Sequence, residues 1–518
     1  MTPVSRRRQS SPDILAEILD DDSDDSLQRR VYARFATAIL EGHLRPGNRL
    51  PSSRELARTL HVGRNTVMWA LEQLTVEGFV EARRGAGTFV SNRLPTNGGD
   101  SGAAGGWHRN VPDAVRVAKR ASHYASIPAS LATPQRPVPF RMNMPAVDAF
   151  PVATWMRISR SLLSGRMSGG GTRLLGETDA AGYAPLRDAI ARYLTISRGV
   201  SCTPNQVVVV AGAQQAIDLA VRILLDPGDA VWCEDPGFPG AVAALKASGA
   251  EIVAVPVDEE GMNVGMGERR RPDARVAVVC PSTQFPLGHA LSLRRRVQLI
   301  EWARRNDSWI IEDDYDAEFR YQGRSIRSLQ GLDGGRRVIY IGTFSKVLFP
   351  GLRLAYLVVP EPLVELFVNA RTVAGRHSPT LEQALVERFM TDGHMARHVL
   401  RMRKLYAERR QVMIETLGAS LDGFMKLVPG DAGLQMLGWL PEDWSDLEIS
   451  REASEAGLEV APLSRFAIAR RLPPALLLGF GAFTPVEIAQ GAGKLATVIR
   501  RYAARTGAAS GRKTRRAS

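Results

Sequence analysis

TFSKVLFPGLRLAYLVVP, residues 343–360, sets one lysine, Lys346, among apolar neighbours, breaks the chain at Pro350-Gly351, and resumes with Arg353 and an apolar run. A short apolar run bounded by turn residues reads as a buried strand, so this stretch is a lysine-bearing loop that feeds the strand RLAYLVVP (353–360). Six similar runs precede it: QVVVVAG (206–212), DAVWCED (229–235), EIVAVPV (251–257), RVAVVCP (275–281), SWIIEDD (308–314) and RVIYIGT (337–343). Runs such as VVVV and VAVV belong to strands covered on both faces, and their alternation with helical stretches predicts a largely parallel sheet between helices. Beyond about residue 385 longer helices dominate, and LLLGFGAF (476–483) reads as a late strand.

A lysine that forms a Schiff base with a phosphorylated pyridine cofactor needs a dry pocket, an anion clamp, an acid for the ring nitrogen and a ring to stack on. The chain offers a candidate for each. GAQQ (212–215) follows a strand and opens a helix, so the amides of Gly212, Ala213 and Gln214 stand at its positive end, where an anion is favoured. Thr343, Ser345 and Arg353 add two hydroxyls and a guanidinium. EDDYDAEFRY (312–321) and EDPGFPGA (234–241) bring the acids and the aromatic rings. With GAQQAIDLAVRILLDPGD (212–229), FPLG (285–288) and GHMARHVLRMRKLY (393–406), these stretches resemble fold-type I aminotransferases over residues 142–505. The resemblance implies an α/β domain with a smaller α+β C-terminal subdomain. It implies that Lys346 carries pyridoxal 5′-phosphate as a Schiff base, Asp313 pairs with the pyridinium nitrogen, Tyr315 bonds the phenolic oxygen and Phe238 stacks on the ring.

Towards the N-terminus the pattern changes. Apolar residues at Leu27, Val31, Phe35, Ile39 and Leu40 mark one helix; SSRE (52–55) is a capping box that opens a second, ending near Leu60; RNTVMWALEQLTVEG (64–78) is a third, stopped by Gly78. FVEARRGAGTFV (79–90) then alternates about a glycine turn, as a hairpin does. Three helices and a wing form a winged helix-turn-helix, and LPSSRELARTLHVGRNTVMWALEQLTVEGFVEARRGAGTFV (50–90) resembles the DNA-binding motif of the GntR family. In that fold the third helix enters the major groove by its N-terminal end, here Arg64, Asn65 and Thr66. Arg54 would add a contact from the second helix, and Arg83 and Arg84 from the wing. Charge agrees with a polyanionic partner: residues 29–93 hold eleven arginines against five acids, within a chain of net charge +13.

The predicted organisation is a mobile segment at 1–26 with a possible short helix at Ile14–Leu19, a winged helix-turn-helix at 27–93, a linker rich in Gly, Ala, Ser and Pro at 94–141, the aminotransferase-like domain at 142–505, and a basic tail at 506–518. The three cysteines lack metal-ligand spacing and fit a reducing compartment, so no metal site is expected and the cytoplasm is the expected location. The N-terminus lacks a signal-peptide core.

The pattern departs from working aminotransferases in three places. Leu477 stands where an arginine would bind the substrate carboxylate, although Arg465 in PLSRFA offers a substitute; Glu177 stands where a tyrosine would reach the partner's cofactor phosphate; Thr283 replaces a usual histidine. Together the two halves resemble MocR-type members of the GntR family. That resemblance implies a transcription regulator responsive to pyridoxal phosphate, alone or joined to an amino compound, and acting on vitamin B6, amino-acid or amine metabolism. It also implies a head-to-tail homodimer bound to a double-stranded operator with two half-sites. An active aminotransferase tethered to DNA, and a dimerisation scaffold that binds no cofactor, are the alternatives.

Overall fold

The helical stripe that starts at Leu27 forms α1 (Leu27–Leu40), burying Val31, Phe35, Ala38 and Ile39. In α2 (Ser53–Thr59) the Ser52 hydroxyl accepts from Glu55 N at 3.3 Å, so half of the predicted capping box is made. The third helix, α3 (Arg64–Val76), buries Val67, Ala70, Leu71 and Leu74, and the hairpin β1 (Val80–Arg83) and β2 (Gly87–Val90) pairs antiparallel with Arg83 opposite Gly87. Trp69 packs against this core and is half-buried.

The computed structural model describes residues 26–83, 85–92, 117–118, 121–125, 127, 138–164, 171–321 and 326–506. Arg84, the helix expected at Ile14–Leu19, most of the expected linker and the tail beyond Thr506 lie outside the described residues. The chain divides into two compact units, residues 1–115 and 116–518. Among the described residues no helix is long and apolar enough to cross a membrane.

In the second unit eight strands form one sheet: β3 (Val207–Val210), β4 (Ala230–Asp235), β5 (Glu251–Asp258), β6 (Gly261–Met262), β7 (Val276–Val279), β8 (Trp309–Asp314), β9 (Val338–Thr343) and β10 (Ala355–Val358), in the order β3-β10-β9-β8-β7-β4-β5-β6. The pairs from β5 through β9 are parallel, whereas β10 runs antiparallel to both β3 and β9, and β6 antiparallel to β5. β3, β7 and β10 are buried along their whole length, as strands covered on both faces must be. Helices α4 (Ala184–Arg198), α5 (Ala213–Leu224) and α6 (Pro239–Ser248) belong to this layer.

This topology decides where a ligand can sit. The C-terminal ends of β3, β4, β7, β8 and β9 share one edge with the N-terminal end of β10, and open α/β sheets bind ligands at such an edge. The loops after those strands carry GAQQ, Phe238, Thr283, Tyr315 and Lys346, and Arg353 leads into β10. A smaller antiparallel sheet, β11 (Lys426–Val428), β12 (Gln435–Trp439), β13 (Ala461–Pro462) and β14 (Ala475–Gly479), packs with α7 (His394–Leu421) and α8 (Pro485–Arg505) around Tyr406, Leu417, Leu476, Leu478 and Ile499. Part of the stretch expected as linker is structured. Phe140 is fully buried in this core and bridges to Gly479, because an aromatic ring so close to a domain edge gains more from burial than from hydration.

Candidate functional site

β9 ends at Thr343, and the buried Phe344, Val347 and Leu348 anchor the loop that carries Lys346. Lys346 Nζ donates to the Asn143 carbonyl at 2.6 Å, and His398 Nε2 in α7 donates to the Val347 carbonyl at 2.9 Å. Burial lowers the Lys346 ammonium from the ordinary 10.5 to about 8, with Asp316 and Asp313 opposing.

Three successive carboxylates end β8, and alternation along a strand sends the middle one to the opposite face from its neighbours. Glu312 accepts from Leu329 N and Gln330 N, each at 2.9 Å. Asp314 pairs with Arg198 Nη2 at 2.7 Å and accepts from Tyr340 Oη at 2.7 Å. Asp313, only 5 % exposed, has a buried Oδ1 with no hydrogen-bond partner. Burial and then the Asp314 charge push it up to about 7, with Lys346 pulling the other way. A buried polar group without a partner costs about 1–3 kcal/mol and calls for an explanation such as a missing ligand.

The anion cradle is assembled from two distant segments. Gly212 caps α5 with φ +142°, a conformation that favours glycine, and a Cβ there would lie 3.2 Å from Arg353 Nη2, so the guanidinium lies against the helix N-terminus. Arg353 is exposed and has no acidic partner among the described residues. Ala213 opens the helix, Gln214 Nε2 donates to the Gly240 carbonyl at 2.9 Å, and Ser345 N donates to Thr343 Oγ1 at 3.1 Å. Phe238 caps α6 with its ring edge-on to Phe285 at 6.0 Å, and Tyr315 meets the same Phe285 at 6.4 Å. The set can hold an anion at α5, a protonated ring nitrogen at Asp313 and a carbonyl carbon at Lys346. The residues present therefore fit a phosphorylated pyridine aldehyde.

Two of the three departures from the aminotransferase pattern, Leu477 and Glu177, have clear structural settings. Leu477 in β14 is fully buried opposite Leu437 and Ala461, within an apolar cluster that includes Phe285 and Phe466. Glu177 forms an exposed ion pair with Arg376 at 2.9 Å, so its charge is already matched. Arg465 is exposed on the turn Leu463–Phe466. Sequence reasoning missed Asn143, Phe285 and Asp316. Asn143 carries no signal because its carbonyl is used in a left-handed conformation at φ +60°, and Phe285 and Asp316 were hidden inside motifs read for other residues.

In the first unit Arg54 lies in the first turn of α2, and Arg64, Asn65 and Thr66 form the first turn of α3; all but the half-buried Thr66 are exposed. Arg83 stacks 4.7 Å over Phe89 and lies 3.9 Å from Glu81, which fixes it on the wing. Arg49, which sequence reasoning passed over, bridges to Phe89 and lies beside the wing glycine Gly87. The arginine that precedes a strand-like pair by forty residues has no sequence signal for this position.

Residues 27–90 match the family described as bacterial regulatory proteins, gntR family, and residues 160–487 match aminotransferase class I and II. The chain is 36 % identical over 481 residues to the probable rhizopine catabolism regulatory protein MocR of Rhizobium meliloti, covering 92 % of this chain and 94 % of that one. It is 29 % identical to the HTH-type pyridoxine biosynthesis transcriptional regulator PdxR of Corynebacterium glutamicum, over 88 % of this chain and 92 % of that protein. Among solved structures, α-aminoadipate aminotransferase LysN of Thermus thermophilus, complexed with N-(5′-phosphopyridoxyl)-L-leucine, superposes with a TM-score of 0.68 at 27 % identity, covering 75 % of this chain and 98 % of that one. The chain thus joins a gntR-type winged helix-turn-helix to a fold-type I aminotransferase domain, and it belongs to the MocR-type branch of the GntR family of transcription regulators.

Proposed function

We propose that this regulator binds DNA through its winged helix and is controlled by pyridoxal 5′-phosphate held at Lys346. The observation that carries the reading is Asp313, the acid that faces Lys346: its Oδ1 is buried without a hydrogen-bond partner and it makes no ion pair, whereas Glu312 accepts two backbone amides and Asp314, although its own Oδ1 is also unbonded, is held through Oδ2 by Arg198 and Tyr340. When bound, the cofactor supplies an aldehyde that condenses with amines and a ring that draws electrons from them. The chain's own residues do the rest. Lys346 reaches its neutral, nucleophilic form near pH 8; Asp313 keeps the ring nitrogen protonated; Tyr315 donates to the phenolic oxygen; Phe238 covers a ring face. The amides of Gly212, Ala213 and Gln214, with Thr343, Ser345 and Arg353, hold the phosphate.

A carboxylate-bearing substrate would meet Leu477 rather than a guanidinium, which favours a sensor over a turnover site. A homodimer presents two winged helices to two half-sites, with Arg64, Asn65 and Thr66 in the major groove and Arg54, Arg83 and Arg84 on the backbone or wing side. The cofactor, alone or joined to an amino compound, shifts DNA affinity by favouring one of two arrangements of the dimer. The genes of vitamin B6 or amine metabolism are the targets that fit this chemistry.

Gel shifts on the DNA upstream of the protein's own gene, with and without the cofactor, test this reading. Wild type should change affinity on cofactor addition, and Lys346→Ala should bind DNA without responding. An identical response from both proteins overturns sensing through Lys346, and steady transamination by purified wild type would favour the enzyme reading.

A further inference from the structure

A small cavity lies between the loops at the strand ends and the small sheet, lined by Thr283, Tyr315, Asp316, Gly433, Gln435 and Leu437. It adjoins the lysine pocket: Tyr315 belongs to both, Asp316 is the acid that Lys346 feels most strongly, and Leu437 pairs with Leu477. Two polar atoms of its lining lack a hydrogen bond of ordinary geometry. Thr283 is 6 % exposed, and its Oγ1 makes no hydrogen bond of ordinary geometry although it lies near enough to Asp316 to favour the charged form. Gln435 Oε1 is buried without a partner as well. Asp316 is 3 % exposed, and Gly433 lets it approach: at φ +89° a Cβ there would fall 2.8 Å from Asp316 Oδ2.

We infer that this cavity is an effector subsite that reads a hydrogen-bond donor, a hydroxyl or a second ammonium, on an amine that lacks a carboxylate. Asp316 and Gln435 offer acceptors, Thr283 can accept as well as donate, and the space suits one water-sized group rather than a carboxylate. A carboxylate would have to shed its hydration against the apolar wall at Leu437, which opposes it. Burial, followed by the Asp314 charge, holds the Asp316 carboxyl well above its ordinary range, and an ammonium or hydroxyl placed beside it would favour the charged, accepting form. The inference rests on the cofactor reading of Lys346 and names the class of amine that site would take.

Four three-carbon probes separate the possibilities: propylamine, 3-amino-1-propanol, 1,3-diaminopropane and β-alanine. Each is titrated into cofactor-loaded protein, with binding followed by the cofactor absorbance and by calorimetry. The amino alcohol or the diamine should bind at least tenfold tighter than propylamine and β-alanine. Thr283→Val, which keeps the side-chain volume, and Gln435→Leu should each shrink that preference severalfold, with propylamine as the internal reference. Equal binding of all four, tighter binding of β-alanine, or variants that keep the full preference overturns the subsite. A wild-type protein that shows no cofactor absorbance at all removes the underlying reading instead.

Discussion

Asp313→Asn removes the charge that faces Lys346 and leaves the fold's own ion pairs, Asp314–Arg198 among them, in place. Truncating one partner of a buried charge pair costs about 2–5 kcal/mol, so cofactor affinity should fall by ~30-fold or more, measured by equilibrium dialysis, with thermal unfolding of the apo-protein little changed. The lysine makes a pH prediction. A neutral amine attacks the aldehyde, and Lys346 is lowered to about 8 by burial; loading should therefore slow as pH falls below 8 and level off above it. Stopped-flow absorbance would show an inflection near 8, and an inflection near the ordinary 10.5 would mean that the pocket is wet. At this scale the sequence offered EDD with three equivalent acids. What separates them is the set of partners: amides 17 and 18 residues on for Glu312, an arginine 116 residues away that reaches Asp314 Oδ2, and neither an amide nor an arginine for Asp313, whose Oδ1 is unbonded. Local pattern carries no such information, because each partner reaches its acid only after the chain has folded back.

At the level of elements, helices and strands follow period and turn chemistry, and most formed where the spacing predicts. VVVV became β3 and RVIYIGT became β9 within a residue or two, since a β-branched run between turns has no competing way to bury itself. Ser52 caps α2, and Ser52→Ala should lower the stability of the first unit by about 1 kcal/mol, read by chemical unfolding of the full chain followed at Trp69. In the proposed reading the N-terminal turn of α3 contacts the DNA bases. Arg64→Ala should cost about 1–3 kcal/mol on the specific site and little on random DNA if the guanidinium reads a base. An equal loss on both sequences, with a salt slope reduced by about 1, would assign it to a phosphate instead. The element that sequence placed least well was the end of the expected linker, where Phe140 joins a core built largely from residues 402–503.

The whole molecule adds a geometric expectation. The proposed dimer, holding two winged helices on one face of the duplex, would require its half-sites in phase. Inserting about five base pairs, half a helical turn, between them should reduce affinity by ~10²-fold or more as bivalency is lost, with a full-turn insertion recovering part of it. Sequence by itself determined that the chain has a DNA-binding head and an aminotransferase-like body, because hydrophobic period, caps and glycine turns act over a few residues and are written locally. It also marked Lys346 and Arg353 in one stretch, where their chemistry is unusual for the apolar run around them. Tertiary structure alone decided what those residues meet. Arg353 lies against Gly212 because β10 runs antiparallel between β3 and β9, and Leu477 closes an apolar wall because two sheets distant in sequence pack at the same edge. Contacts of that kind depend on which surfaces become adjacent when the core excludes water, and no local pattern encodes adjacency across hundreds of residues.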